Sequence, residues 1–259
     1  MIAAVTLEDP EDPRFADYVD LSDPDLRRRV EAERQFFIAE SPLVVRRLLG
    51  SGRQVRSVLV TPAQYEALSD ILDSAAMPVY VASDAVLRRV VGFDLHRGAV
   101  ASAERWALPS VDVVVAGAQR IAVLERVNDH ENLGVLFRSA AALGVDAILL
   151  DAESADPFYR RCVRVSIGTV CTLRWTRVQS LDDVAVPKIA LTPRADAMDI
   201  ADVAWPPRCA LLFGAEGPGL SEEWLRAADV CVRIPMHDGS DSLNVATAAS
   251  IAFYAARAT

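Results

Sequence analysis

The chain is poor in the residues that usually announce a site. Lys188 is the single lysine, so arginine supplies 26 of the 27 basic residues, and there are only three histidines. Four cysteines, Cys162, Cys171, Cys209 and Cys231, are scattered, with no CxxC pair and no Cys/His cluster. That pattern gives neither a zinc site nor a disulfide framework, so no metal is expected. It predicts buried thiols in a reducing compartment. No apolar run has the length of a membrane span, and the opening MIAAVTLEDPEDPRF lacks the basic-then-apolar order of a signal peptide. The expectation is a soluble, cytoplasmic protein. Internal repeats, low-complexity stretches and long runs of like charge are also missing. His96, His130 and His237 stand in LHRG, DHEN and MHDG, with no Ser/His/Asp or Cys/His arrangement around them. Neither G-x-G-x-x-G nor a phosphate loop ending in GK[ST] occurs, which leaves nicotinamide and nucleoside-triphosphate chemistry unsupported.

What is present is a chain of 259 residues, 52% hydrophobic, enough for one large domain or two small ones. Its net charge of −9 argues against non-specific nucleic-acid binding over the whole surface. Local basic clusters remain: Arg27 to Arg29, Arg46 and Arg47, Arg88 and Arg89, and Arg160, Arg161 and Arg164. Arginine suits planar, bidentate contacts to phosphate.

Residues 21 to about 105 alternate helix and strand. Helices are predicted from Asp23-Pro24, from Ser41-Pro42 with Ser41 as cap, over 62–72 and over 83–90. Strands are predicted at FFIAE, VRSVLVT, MPVYVAS and GAVASAER. The proline and change of pattern in WALPSV (106–111) set a boundary, giving domains 1–106 and 107–259. Beyond it strands are expected at 111–117, 121–126, 147–150, 171–175, 188–192, 209–214 and 230–235. Helices are expected at 132–143, 157–167, 221–228 and 241–257. Strands alternating with helices imply an α/β fold with a mostly parallel sheet covered on both faces.

Three stretches carry chemistry. In NLGVLFR, Asn132 is a candidate cap, and Leu133, Leu136, Phe137, Ala140 and Ala141 form a buried stripe. Arg138 falls about 130° from the centre of that stripe, facing solvent, a ligand or a partner chain. In FGAEGPGL, Gly214, Gly217 and Gly219 allow close approach to a flat or polar ligand, and Glu216 stands inside the loop as an acceptor. In IPMHDGSDSLNVATAAS, a helix starting at Ser240 to Asn244 offers free N–H groups. Asn244 in a first turn is a weak helix former and calls for a reason. The small residues from Val245 to Ala256 permit close packing on the sheet or on a second copy.

These three stretches, in order and spacing, resemble the three motifs of the SpoU (TrmH-type) branch of the SPOUT methyltransferases over residues 111 to 257. The first domain, with FFIAESPLVVRRLL and GFDLHRGAVA, more loosely resembles the ribosomal-protein-like RNA-binding domain attached in front of it. The resemblance implies a C-terminal trefoil knot, a homodimer, S-adenosyl-L-methionine as cofactor, and methyl transfer to a ribose 2′-OH of ribosomal or transfer RNA. It implies cofactor contacts from Thr192, Gly214, Ile234, Met236 and Leu243. It implies that Arg138 contacts the RNA phosphate beside the target ribose, more by positioning than as a base, since a guanidinium pKa exceeds about 12. Asn132 would order Arg138, Glu216 would fix the knot or an arginine of the neighbouring chain, and Ser242 and Asn244 would bond the cofactor pocket and the ribose. His237 and Asp238 put an acid near the RNA entrance, which points to the first domain's arginine clusters as the RNA anchor. Two other readings stay open: a non-catalytic RNA-binding or ribosome-assembly factor, and a small-molecule-binding α/β protein.

Overall fold

The computed structural model describes residues 4–95, 97–237 and 242–257. His96, Asp238, Ser240 and Asp241, on which parts of the sequence reading rest, lie outside them. The chain forms two compact units, Met1–Trp106 with Phe158–Thr172, and Ala107–Pro157 with Leu173–Thr259.

The first unit runs β1 (Val5–Thr6), α1 (Pro24–Glu33), β2 (Phe36–Glu40), α2 (Pro42–Gly50), β3 (Val55–Val60), α3 (Pro62–Ala67), α4 (Ser69–Leu72), β4 (Val79–Val81), α5 (Asp84–Val91) and β5 (Ala99–Glu104). Its five-stranded sheet has the order β1-β4-β3-β5-β2. The first three are parallel, and β5 runs antiparallel to both β3 and β2. Phe15, Tyr18, Phe36 and Leu59 are fully buried in its core. The expected helix over 62–72 is broken at Leu68 (φ −115°, ψ 10°) into α3 and α4. Ser41 holds the cap position of α2, but its side chain makes no capping bond and its φ is +98°.

The arginine clusters of this unit are largely committed within the chain. Arg27 is buried, and its Nε lies 3.1 Å from Glu31 Oε1. Burial lowers the Arg27 pKa and raises that of Glu31. Arg46 pairs with Asp70, Arg88 with Asp94, and Arg160 with Glu40 at 3.0 Å. Arg47 donates to the Ile167 carbonyl. The predicted basic patches are thus partly ion-pair networks that hold the unit together.

The second unit runs α6 (Val111–Val115), β6 (Arg120–Glu125), α7 (His130–Ala142), β7 (Ala147–Leu150), then, after α8 (Arg160–Val165) in the first unit, β8 (Arg174–Arg177), β9 (Lys188–Leu191), β10 (Met198–Asp199), β11 (Cys209–Gly214), α9 (Glu222–Ala227), β12 (Val230–Arg233) and α10 (Val245–Ala255). Seven strands form one sheet in the order β10-β12-β9-β11-β6-β7-β8, and every pairing is parallel. Residues 121–124, 147–150 and 209–213 are buried throughout, as strands covered on both faces must be.

Three sequence expectations fail here. VDVVVAG is not a strand but contains α6. Val111, Val114 and Val115 pack on the core while Val113 stays 62% exposed, the signature of a single helical turn following Pro109-Ser110. The strand placed at 171–175 lies at Arg174–Arg177, because Thr169–Cys171 close a 3-10 turn. Ala141 is exposed and leaves the buried stripe of α7.

Candidate functional site

In a parallel sheet all strands end on one edge, and ligands bind in the crevice beyond the carboxyl ends. Two cavities lie there. The larger, about 370 Å³, opens after β9, β11 and β12. All five residues nominated for the cofactor, Thr192, Gly214, Ile234, Met236 and Leu243, line it. Glu216, Ser242 and Asn244 line it too. A smaller cavity, about 140 Å³, opens after β6 and is lined by Arg126, Asn128, Asp129, Asn132 and Glu216, among others. Ala215, Glu216 and Val245 border both.

The wall at FGAEGPGL is built on glycine for steric reasons. A Cβ on Gly214 would collide with the backbone of Gly219 and Leu220. The turn closes by an Ala215–Gly219 bridge, in which the Gly219 N–H donates to the Ala215 carbonyl at 3.0 Å. Gly217 (φ +88°) and Gly219 (φ +69°) take left-handed conformations. The main-chain N–H groups of Met236 and Leu243 make no hydrogen bond to another described residue. A ligand in the larger cavity therefore meets bare backbone and free donors.

The three motifs meet in one polar cluster centred on Asn244. Its side-chain oxygen accepts from the N–H groups of Ala246 (3.0 Å) and Thr247 (3.2 Å), so Asn244 is the N-cap of α10. That fixes its other end as the amide nitrogen, which donates to Asn132 Oδ1 at 2.8 Å and to Glu216 Oε1 at 2.6 Å. The expected start of this helix at Ser240 to Asn244 moves to Val245, and Asn244 has the reason its residue type demanded. Ser242 makes no hydrogen bond to another described residue and is exposed on the cavity lining.

Asn132 is not the cap of α7. That role belongs to Asp129, whose Oδ1 accepts from Glu131 N (2.9 Å) and Asn132 N (2.8 Å). Asn132 sits in the first turn, which frees its side chain for Asn244. Arg138 is exposed, as its position on the helix predicts, and lines neither cavity of its own chain. Ser139 and Ser250 bond at 2.8 Å where α7 packs on α10.

Sequence reasoning missed two neighbours. Glu125, buried at the end of β6, accepts from Ser221 N at 2.7 Å and ties β6 to the loop after β11. Arg126 follows with φ +54° and its N–H bonded to Asp151 Oδ2 at 3.0 Å. A bulky residue held there costs on the order of 1–2 kcal/mol. No local pattern marks it, since Asp151 lies at the end of the next strand.

The family model described as the SpoU rRNA Methylase family matches residues 119–254. The chain belongs to the SpoU rRNA methylase family. It is, as a SpoU member, an RNA methyltransferase. An uncharacterized tRNA/rRNA methyltransferase of Mycobacterium tuberculosis is 45% identical over 256 residues, covering 95% of this chain and 89% of the relative. Among solved structures, an AdoMet-bound rRNA methyltransferase from Sinorhizobium meliloti is 26% identical, with a TM-score of 0.82 over 98% of this chain and 97% of that one. An RNA 2′-O ribose methyltransferase is also 26% identical, with a TM-score of 0.76 over 97% and 98%.

Proposed function

We propose that this SpoU protein transfers the methyl group of S-adenosylmethionine to the 2′-hydroxyl of a ribose in ribosomal or transfer RNA. One observation carries the proposal: Thr192, Gly214, Ile234, Met236 and Leu243, drawn from separate segments, converge on one cavity of about 370 Å³. That volume lies within the range of small-molecule and cofactor sites. The residues fit this donor, because Gly214 bares the backbone and the Met236 and Leu243 N–H groups are unspent among the described residues. When bound, S-adenosylmethionine supplies a methyl group already activated on a sulfonium.

The chain's own task is then orientation of the acceptor. In this reading the Ser242 hydroxyl, exposed on the lining, bonds the target ribose, and Asn244, whose amide is bonded within the chain, shapes the wall beside it. Asn132 and Glu216 hold Asn244 in place. Arg138 holds the RNA phosphate next to the target ribose, and it acts from the neighbouring chain of a homodimer. This reading is supported by its exposure outside both cavities of its own chain and by its place on α7 one turn from Val135, which is 38% exposed. Ile251 (37%) and Tyr254 (57%) are spaced likewise on α10, which packs on α7. Exposed apolar side chains on both helices suit a second copy.

The same reading takes the C-terminal segment as a trefoil knot. The strand order supports it: β12, last in sequence, lies between β10 and β9, and β11 between β9 and β6. The first domain serves as the RNA anchor, through exposed arginines such as Arg29 and Arg89.

The test is titration calorimetry with S-adenosylmethionine on the unmutated protein and on Arg138→Ala, alongside methyl transfer to unmodified RNA transcripts. Both proteins are expected to bind the cofactor alike, while Arg138→Ala loses at least about a hundredfold in turnover, the scale of a misplaced substrate. No cofactor binding by the unmutated protein overturns the proposal in favour of a non-catalytic RNA-binding factor.

A further inference from the structure

We infer that Arg126 and the 140 Å³ cavity it lines form a subsite for a phosphodiester group of the acceptor RNA. The inference rests on the RNA methyltransferase reading of the adjoining cavity. Arg126 stands at the end of β6 in a left-handed conformation (φ +54°), with its backbone held by Asp151. Its guanidinium sits beside a carboxylate without a hydrogen bond to it. The nearest carboxylate oxygen, Glu125 Oε1, lies 3.6 Å away, beyond hydrogen-bonding range. The Arg126 Nε is buried with no partner among the described residues. Glu125 is itself committed to the Ser221 N–H. The rest of the side chain is partly exposed on the cavity wall, where a guanidinium without a hydrogen-bonded carboxylate suits an anionic acceptor.

Asn132 adds donors on the same wall. Because Asn244 must cap α10 with its oxygen, its nitrogen faces Asn132, and Asn132 must answer with its own oxygen. The two N–H donors of Asn132 then have no acceptor among the described residues. The acids that border the cavity are each engaged at one oxygen. Asp129 Oδ1 accepts from the Glu131 and Asn132 amides, and Glu216 Oε1 accepts from Asn244. Arg126 and Asn132 thus set donors, one of them cationic, on a wall that also carries the second carboxylate oxygens of Asp129 and Glu216. A phosphodiester, with two charged acceptor oxygens, matches a guanidinium better than any neutral group does. Since Ala215, Glu216 and Val245 border both cavities, a phosphate seated here adjoins the nucleotide presented to the larger one.

The experiment compares the unmutated protein with Arg126→Gly, which keeps the left-handed backbone and removes the guanidinium, and with Arg126→Lys, which keeps the charge. Cofactor affinity is read by calorimetry. Binding to unmodified ribosomal and transfer RNA transcripts is read across a salt series, and KM and kcat by methyl transfer. Arg126→Gly is expected to leave cofactor affinity unchanged and to raise KM for RNA about tenfold, with kcat nearly unchanged. It should also lower the slope of log affinity against log salt by about one, the mark of a lost phosphate contact. Arg126→Lys should restore the slope. An unchanged slope and KM in Arg126→Gly overturn the inference, and an unchanged slope with raised KM assigns the contact to a base carbonyl and overturns it as well. If the unmutated protein methylates none of the transcripts, the methyltransferase reading fails, while the salt slopes still decide the role of Arg126.

Discussion

Asn244 does two separable things, and substitutions can divide them. Its oxygen caps α10 through two N–H bonds, and its nitrogen ties Asn132 and Glu216 together. Loss of a cap costs about 1 kcal/mol. The two side-chain bonds are partly solvated, so together they contribute roughly 1 kcal/mol. Asn244→Ala removes both functions and should cost about 2 kcal/mol. Asn244→Ser keeps a good cap and should cost about half of that. Asn244→Asp keeps the cap as well, but it replaces the donor by a charge facing the Glu216 carboxylate, so it should fall below Ser. At about 2–4 °C per kcal/mol, calorimetric melting resolves the order unmutated, Ser, then Asp and Ala. A double-mutant cycle of Asn244→Ser with Glu216→Ala should return a coupling of about 0.5–1 kcal/mol. Equal losses for Ser and Ala would refute the capping assignment. A coupling of zero would refute the bond to Glu216, and with it the claim that the three motifs are mechanically joined.

Gly214→Ala forces a Cβ into the backbone of Gly219 and Leu220, so it should cost about 1–3 kcal/mol and weaken S-adenosylmethionine binding by calorimetry; an unchanged melting temperature and affinity would show that the loop does not press on β11. In the first unit, burial pushes the Cys171 thiol from its ordinary 9.0 up to about 12 and raises the Tyr18 phenol above 10.0. Both folded values exceed the unfolded ones, so this stability is fully present below pH 9 and drains away as pH rises from 9 through 12. Melting temperature should fall across that window, with Tyr18 forming phenolate only as tertiary structure is lost; ionisation of all five tyrosines while the fold persists would contradict it.

The parallel core was legible because strands buried on both faces read as unbroken apolar runs, as in IAVL, AILL and ALLF. The same rule misled at VDVVV, whose β-branched residues suit a strand. There Pro109-Ser110 start a helical turn, and one face of it packs while Val113 does not. Leu68 splits a helix that no proline or glycine interrupts. The commitment of Arg27 to Glu31 was partly visible as an i, i+4 pair. Its burial depends on the carbonyls of Asp17 and Val19, which only the folded chain brings near.

The site was legible where residue type conflicts with local structure. Asn244 stood out as a poor helix former, and its placement as a cap resolves the conflict. Asn132 was misjudged because Asp129, three residues earlier, is the better cap, and losing that role is what frees Asn132 for the cluster. Arg126 stayed hidden because its conformation is imposed by Asp151, one strand away. The parallel sheet explains why such distant residues combine. Every strand delivers its following loop to the same edge, so Asn132 and Asn244, 112 residues apart, come within one hydrogen bond. Asn244 then transmits a purely local requirement, the capping of α10, into a choice of which atoms Asn132 presents to the smaller cavity. A substitution at the start of one helix should therefore be felt by a ligand bound beside another.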